Sequence, residues 1–142
     1  MATVELRFSA LPEHVRTARL VAAAVARRAG VDEAVLDEVR LAVGEACTRA
    51  VGLHLSNGVE APVRVILTEE EKKFSIEVGD ESPTSAALAP GSHPEADDEA
   101  EGEDEMGLAV ISGLVDDVEV TTSETGGVIR MSWPTAAQPL VS

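Results

Sequence analysis

The stretch Arg40-Leu-Ala-Val-Gly-Glu-Ala-Cys-Thr-Arg49 decides how the rest of the chain is read. As a helix it sets Glu45, Thr48, Arg49 and Gly52 on one stripe, spaced i, i+3, i+4 and i+7. Val39, Val43, Ala46, Ala50 and Leu53 fall on the opposite side, so the helix is amphipathic. A solvated polar face would make Glu45 and Arg49 an i,i+4 ion pair of a few tenths of a kcal/mol. That reading leaves Gly44 and Gly52 unexplained, since each Gly costs about 1 kcal/mol relative to Ala inside a helix. The competing reading is a helix whose polar side faces a ligand or partner that approaches the backbone closely.

Working outward, Val4, Leu6 and Phe8 alternate as a strand. Pro12 opens a helix that runs through Val15, Ala18, Ala22 and Val25 to Ala29, with Gly30 as its stop. Asp32 caps a second helix that continues to about His54, and Ser56-Asn57-Gly58 makes a turn. Val63, Val65 and Leu67, then Phe74, Ile76 and Val78, alternate on either side of a turn at 69–72 and predict a β-hairpin. Between Gly79 and Asp104 the periodicity vanishes, and Glu95 to Glu105 carries eight carboxylates in eleven residues with no Lys or Arg. A run of this kind repels itself. A short helix with Met106, Leu108, Val110, Ile111 and Leu114 follows. A strand begins at Val118 and Val120, Gly126-Gly127 turns, and Ile129, Met131 and Trp133 alternate in a last strand. The order β-α-α-β-β-loop-α-β-β predicts an α+β two-layer sandwich, with helices covering one face of a mostly antiparallel sheet.

The bulk composition narrows the function classes. The chain has 142 residues, 44% of them hydrophobic and only 2% aromatic, so Ala, Val and Leu must build one core. A net charge of −15 argues against nucleic-acid binding, which needs clustered Lys and Arg. The same charge opposes an anionic ligand unless local cations or backbone amides offset it. No apolar run is long enough for a membrane span and no leader is visible, so a cytoplasmic location is expected. The lone Cys47 reads as a small buried hydrophobe. His14, His54 and His93 lack metal-ligand spacing and read as solvated or packing histidines.

The segment Glu45-Ala46-Cys47-Thr48-Arg49-Ala50 resembles the N-box of the GHKL (Bergerat-fold) ATP-binding domains, in particular the bacterial anti-sigma-factor serine kinases. The resemblance runs along nearly the whole chain. Phe8-Ser-Ala-Leu11 and the following helix look like the family's amino-terminal segment. Val78-Gly-Asp80-Glu-Ser-Pro83 lies where the family has its first glycine box, usually DxGxG, and Glu105-Met-Gly107-Leu-Ala-Val-Ile111 looks like the second, GxGLxxI. Leu114 to Val120 resembles the strand entry, and Gly127-Val-Ile129 the later GTxI element. The departures are specific: Arg49 replaces an Asn that ligates magnesium in the family, and two glycines of the first box and one of the second are missing.

The resemblance implies the Bergerat fold for residues 1–134, with an acidic lid segment at 84–105 and a flexible tail at 135–142. It implies Glu45 as the catalytic base, and Arg49, Asp80, Gly107, Leu108 and Gly127 around ATP. Asp80 would accept a hydrogen bond from the adenine amino group. For Arg49 two readings stay open: it pairs with Glu45 or solvent acids, or it reaches the phosphates in place of magnesium. Arg16 and Arg19 on the first helix are implied as partner-binding, with Arg19 at the family's helix-1 arginine. The implied function is an anti-sigma-factor-like regulator of a partner-switching system, which binds a sigma factor and an anti-anti-sigma protein of the STAS type. Serine phosphorylation of that antagonist and a homodimer are further implications. The alternative is a catalytically degenerate, nucleotide-independent binding module.

Overall fold

The computed structural model describes residues 2–82, 111, 113–115, 117–123 and 125–135. Strand β1 (Ala2–Phe8) leads into α1 (Pro12–Ala29). A 3-10 turn (Glu33–Val35) precedes α2 (Leu36–Asn57). Strands β2 (Val63–Glu70), β3 (Lys73–Asp80), β4 (Asp117–Ser123) and β5 (Gly126–Pro134) complete the sheet. The expected α+β sandwich is present. All neighbouring strands are antiparallel and the sheet order is β1-β2-β3-β5-β4.

Helix α1 matches its sequence signals: Pro12 sits in the first turn, and Gly30 caps the C-terminus in the left-handed region at φ 100°. Helix α2 begins later than Asp32 predicts. The Asp32 side chain accepts from the Ala34 N–H and caps the 3-10 turn instead, while Gly58 closes α2 at φ 64°. The hairpin turn is tighter than the expected 69–72, because the strands run to Glu70 and resume at Lys73.

Alternation along each strand separates two faces. Val63, Val65 and Leu67 of β2, Phe74, Ile76 and Val78 of β3, and Ile129, Met131 and Trp133 of β5 all point towards the helices and are buried. Phe74 and Trp133 are cross-strand partners whose rings stack 6.3 Å apart. The helices meet this face with small residues, among them Ala18, Ala22 and Ala26 of α1 and Ala42, Val43, Ala46 and Cys47 of α2. Burial of this apolar surface at about 25 cal/mol per Å² holds the layers together. The Val115 N–H bonds the Ile111 carbonyl, a helical turn that buries both side chains in the core. Met106, Leu108 and Val110 of the expected short helix lie outside the described residues, as does the acidic segment 84–105. No helix among the described residues is long and apolar enough to cross a membrane.

Candidate functional site

The amphipathic stripe on α2 does not survive intact. Thr48 and Gly52 are exposed and Glu45 is half-buried, but Arg49 is 8% exposed. The helix is turned so that Arg49 faces the exit of β3. Its Nη1 stands 3.9 Å from Asp80 Oδ2, with the two side chains 6% and 3% exposed. The expected Glu45–Arg49 pair is not formed, because the guanidinium points to Asp80 instead. Arg49 Nε is buried without a hydrogen-bond partner.

Residues further along α2 fasten the same strand exit. The Ser82 N–H donates to Asp80 Oδ1 at 3.0 Å. Asn57 Nδ2 donates to the Leu53 carbonyl at 2.8 Å and to Ser82 Oγ at 2.9 Å. His54 is fully buried, with Nδ1 2.9 Å from the Ala61 carbonyl. The Glu81 N–H donates to His54 Nε2 at 2.8 Å. Because Nε2 accepts, Nδ1 carries the proton in this arrangement. One imidazole thus ties α2 to the entry of β2 and the exit of β3. His54 fits its reading as a packing histidine. Its bridging role, and those of Asn57 and Ser82, were not anticipated. The available signal was a run of polar residues at 49, 54 and 57 on a helix whose neighbours Val51 and Leu53 are buried.

The two glycines of α2 also part company. A Cβ on Gly44 would stand 3.0 Å from Arg19 Cδ, so the close approach expected there is made by α1 of the same chain. A Cβ on Gly52 would meet nothing within 4 Å, so no described atom explains that glycine. Arg16 and Arg19 are exposed on α1. Gly127 is the register partner of Asp80, on the helix-facing side of β5. Gly107 and Leu108 lie outside the described residues. Cys47 is buried, and burial pushes its thiol up to about 12. A thiolate is therefore disfavoured, as expected for a residue that serves as core.

Magnesium does not fit the N-box position in this structure. A buried cation, Arg49, stands there against a carboxylate. Among the described residues no group of three or more His, Cys, Asp or Glu could hold a metal ion. Asp80 engages Arg49 and the Ser82 N–H, so an adenine amino group would have to compete for it.

A two-layer α+β sandwich with this sheet order fits a histidine kinase-like ATPase domain. The model of that family matches residues 8–133, and the chain belongs to it. Among named relatives it is similar to the serine-protein kinase RsbW of Oceanobacillus iheyensis, 29% identical over 91% of this chain and 84% of the relative. The serine-protein kinase RsbW of Halalkalibacterium halodurans is 30% identical over 92% of this chain and 82% of its own length. The fold is similar to that in the crystal structure of the RsbU and RsbW domains of Rv1364c from Mycobacterium tuberculosis. That likeness has a TM-score of 0.68 at 16% identity, and covers 96% of this chain but 33% of that one.

Proposed function

We propose that this protein is an anti-sigma-factor-like regulator of a partner-switching system, which holds a sigma factor and releases it on binding a STAS-type antagonist. The similarity to serine-protein kinases RsbW over more than nine-tenths of this chain carries the reading. The first helix supplies the surface. Arg16, Arg19, Arg27 and Arg28 are all exposed on it, in a chain of net charge −15. Such a basic strip accelerates and orients encounter with an acidic partner. Contact between Arg19 and Gly44 steadies that side chain against α2.

The buried Arg49–Asp80 pair favours a second element: switching by mutually exclusive association, without magnesium-dependent phosphate transfer. A phosphoryl-transfer site needs its charge-stabilising groups aimed at the transferred phosphate. Here the cation on α2 is directed at Asp80 instead. Glu45, the implied base, is half-buried on the same helix.

The test is pairwise titration of the purified chain against purified sigma factors and STAS-domain proteins of its own cell. The expected result is a tight sigma complex that one STAS protein dissociates, with no phosphoserine on that protein by mass spectrometry in the presence of ATP and magnesium. Arg19→Glu should weaken the sigma complex, most at low salt, and leave thermal stability nearly unchanged. Stoichiometric phosphoserine would overturn the association-only element. Failure to bind any sigma factor would overturn the whole reading.

A further inference from the structure

We propose that Arg7 and Arg64 form a binding site for a phosphate group on the open face of the sheet, the face turned away from the helices. The inference does not depend on the function proposed above. Arg7 of β1 and Arg64 of β2 are direct register partners. They alternate with Leu6, Phe8, Val63 and Val65, which pack towards the helices, so both guanidinium groups project to the open side. Like charges placed directly opposite each other in adjacent strands repel. In a chain with 11 Lys and Arg against 26 Asp and Glu, a carboxylate beside each would be the ordinary remedy. Arg7 has a solvated one, Glu5, at 3.5 Å. Arg64 makes no ion pair with any described residue.

The Arg64 side chain leans across the neighbouring strand. Its partner on β3 is Gly79, where a Cβ would stand 3.7 Å from Arg64 Nη2, so the guanidinium lies over a glycine. The same row continues through Val128 of β5 to Thr121 of β4. Gly79, with no side chain between Arg64 and Val128, leaves a trough. It opens as a cavity of about 360 Å³ with Arg7 and Arg64 on one wall and Thr121, Ser123 and Thr125 on the other. The turn hydroxyls are ordered before any ligand arrives. Ser123 Oγ is 3.2 Å from Thr125 Oγ1 and donates to the Gly126 carbonyl at 3.3 Å.

Two adjacent guanidinium forks facing the Thr121 and Thr125 hydroxyls match a compact dianion. A phosphate group carries about −1.5 to −2 charges at neutral pH, whereas a carboxylate brings one. Asp80 and the exposed Glu81 also line the cavity and oppose any anion, so binding rests on the two guanidinium groups outweighing them, and the overall acidity disfavours a polyanion such as nucleic acid. The ligand class is therefore inorganic phosphate or a phosphate monoester.

The experiment is amide NMR on the full chain, titrated with sodium phosphate and, separately, with sodium chloride at matched ionic strength. The expected result is a saturating shift of the Gly79 and Thr121 to Val128 amides with phosphate alone. Arg64→Gln should weaken it by roughly tenfold or more, and Arg64→Lys by less, since it keeps charge but loses the fork. Arg7→Gln gives a second route should the Arg64 variants prove unstable. Free phosphoserine binding more tightly than inorganic phosphate would identify a protein-borne monoester as the source, and equal binding a free ion. Shifts that chloride or succinate reproduce equally, or that persist in both the Arg64→Gln and Arg7→Gln variants, would overturn the site.

Discussion

The two halves of α2 are held by different physics. From Leu36 to Cys47 the helix is fixed by apolar contact, with Leu36, Val39, Ala42, Val43 and Ala46 all buried. From Arg49 to Asn57 the apolar contacts of Ala50, Val51 and Leu53 are joined by directional polar ones, in which Arg49, His54 and Asn57 each reach the exit of β3 or the entry of β2. Apolar contact is tolerant, because neighbouring side chains relax around a deletion. Polar contact in a buried place is not, because a missing partner leaves a desolvated group behind. The candidate site lies in the intolerant half. Whatever binds beside Asp80 must therefore work against interactions that also hold the fold.

The contrast can be broken at its strongest point. Arg49→Met removes the cation beside a carboxylate that is 3% exposed, and should cost about 3–5 kcal/mol in urea unfolding. Adding Asp80→Asn, which keeps an acceptor for the Ser82 N–H, should recover a large part of that loss. A double variant no more stable than Arg49→Met alone would mean that packing of the long side chain, not charge, holds this end of the helix.

Next in size is His54→Ala. It leaves the Glu81 N–H and the Ala61 carbonyl without their present partner, and should cost about 2–6 kcal/mol at roughly 1–3 per buried group. Amide exchange should accelerate first at Glu81 and Ser82. In the apolar half, Val43→Ala should cost about 2 kcal/mol, with protection lost evenly across α2 and the sheet beneath it. Selective loss at the β3 exit would erase the distinction between the two halves.

The smallest change has the opposite sign. Gly52→Ala places a methyl where nothing described lies within 4 Å, and should stabilise by about 0.5–1 kcal/mol through helix propensity. Gly44→Ala gains the same propensity but presses on Arg19 Cδ, so its net effect on melting should be smaller. If both substitutions raise the melting temperature equally, Arg19 yields freely and is not steadied by α2.

The apolar half was readable in the sequence because periodicity reports burial. Pro12 and Gly30 marked the ends of α1, alternation marked the strands from Val63 to Val78 and from Val118 to Trp133, and α2 runs to Asn57, past the turn expected at 56–58. What periodicity cannot report is which polar residue is turned inward. Arg49 lies on the border between stripe and core, and only the position of Asp80 across the sheet decides its direction. The strand order was equally hidden, since β5 inserts between β3 and β4 through contacts distant in sequence. For the candidate site, Glu45, Arg49 and Asp80 were singled out through resemblance. The partnership of Arg49 with Asp80, and the clasp made by His54, Asn57 and Ser82, required the coordinates.

The insertion of β5 has a consequence for how the chain comes off the ribosome. Strand β3 has β2 on one side and receives its second neighbour only when residues 126–134 have been made. Until then Phe74, Ile76 and Val78 sit on an open edge, with unpaired backbone groups beside them. A nascent chain that stalls at Ser123, or a mature one cut there, presents that edge as a template for other chains. The edge stays open from the completion of β3 at Asp80 until β5 is made, so quality control of this protein rests on β5.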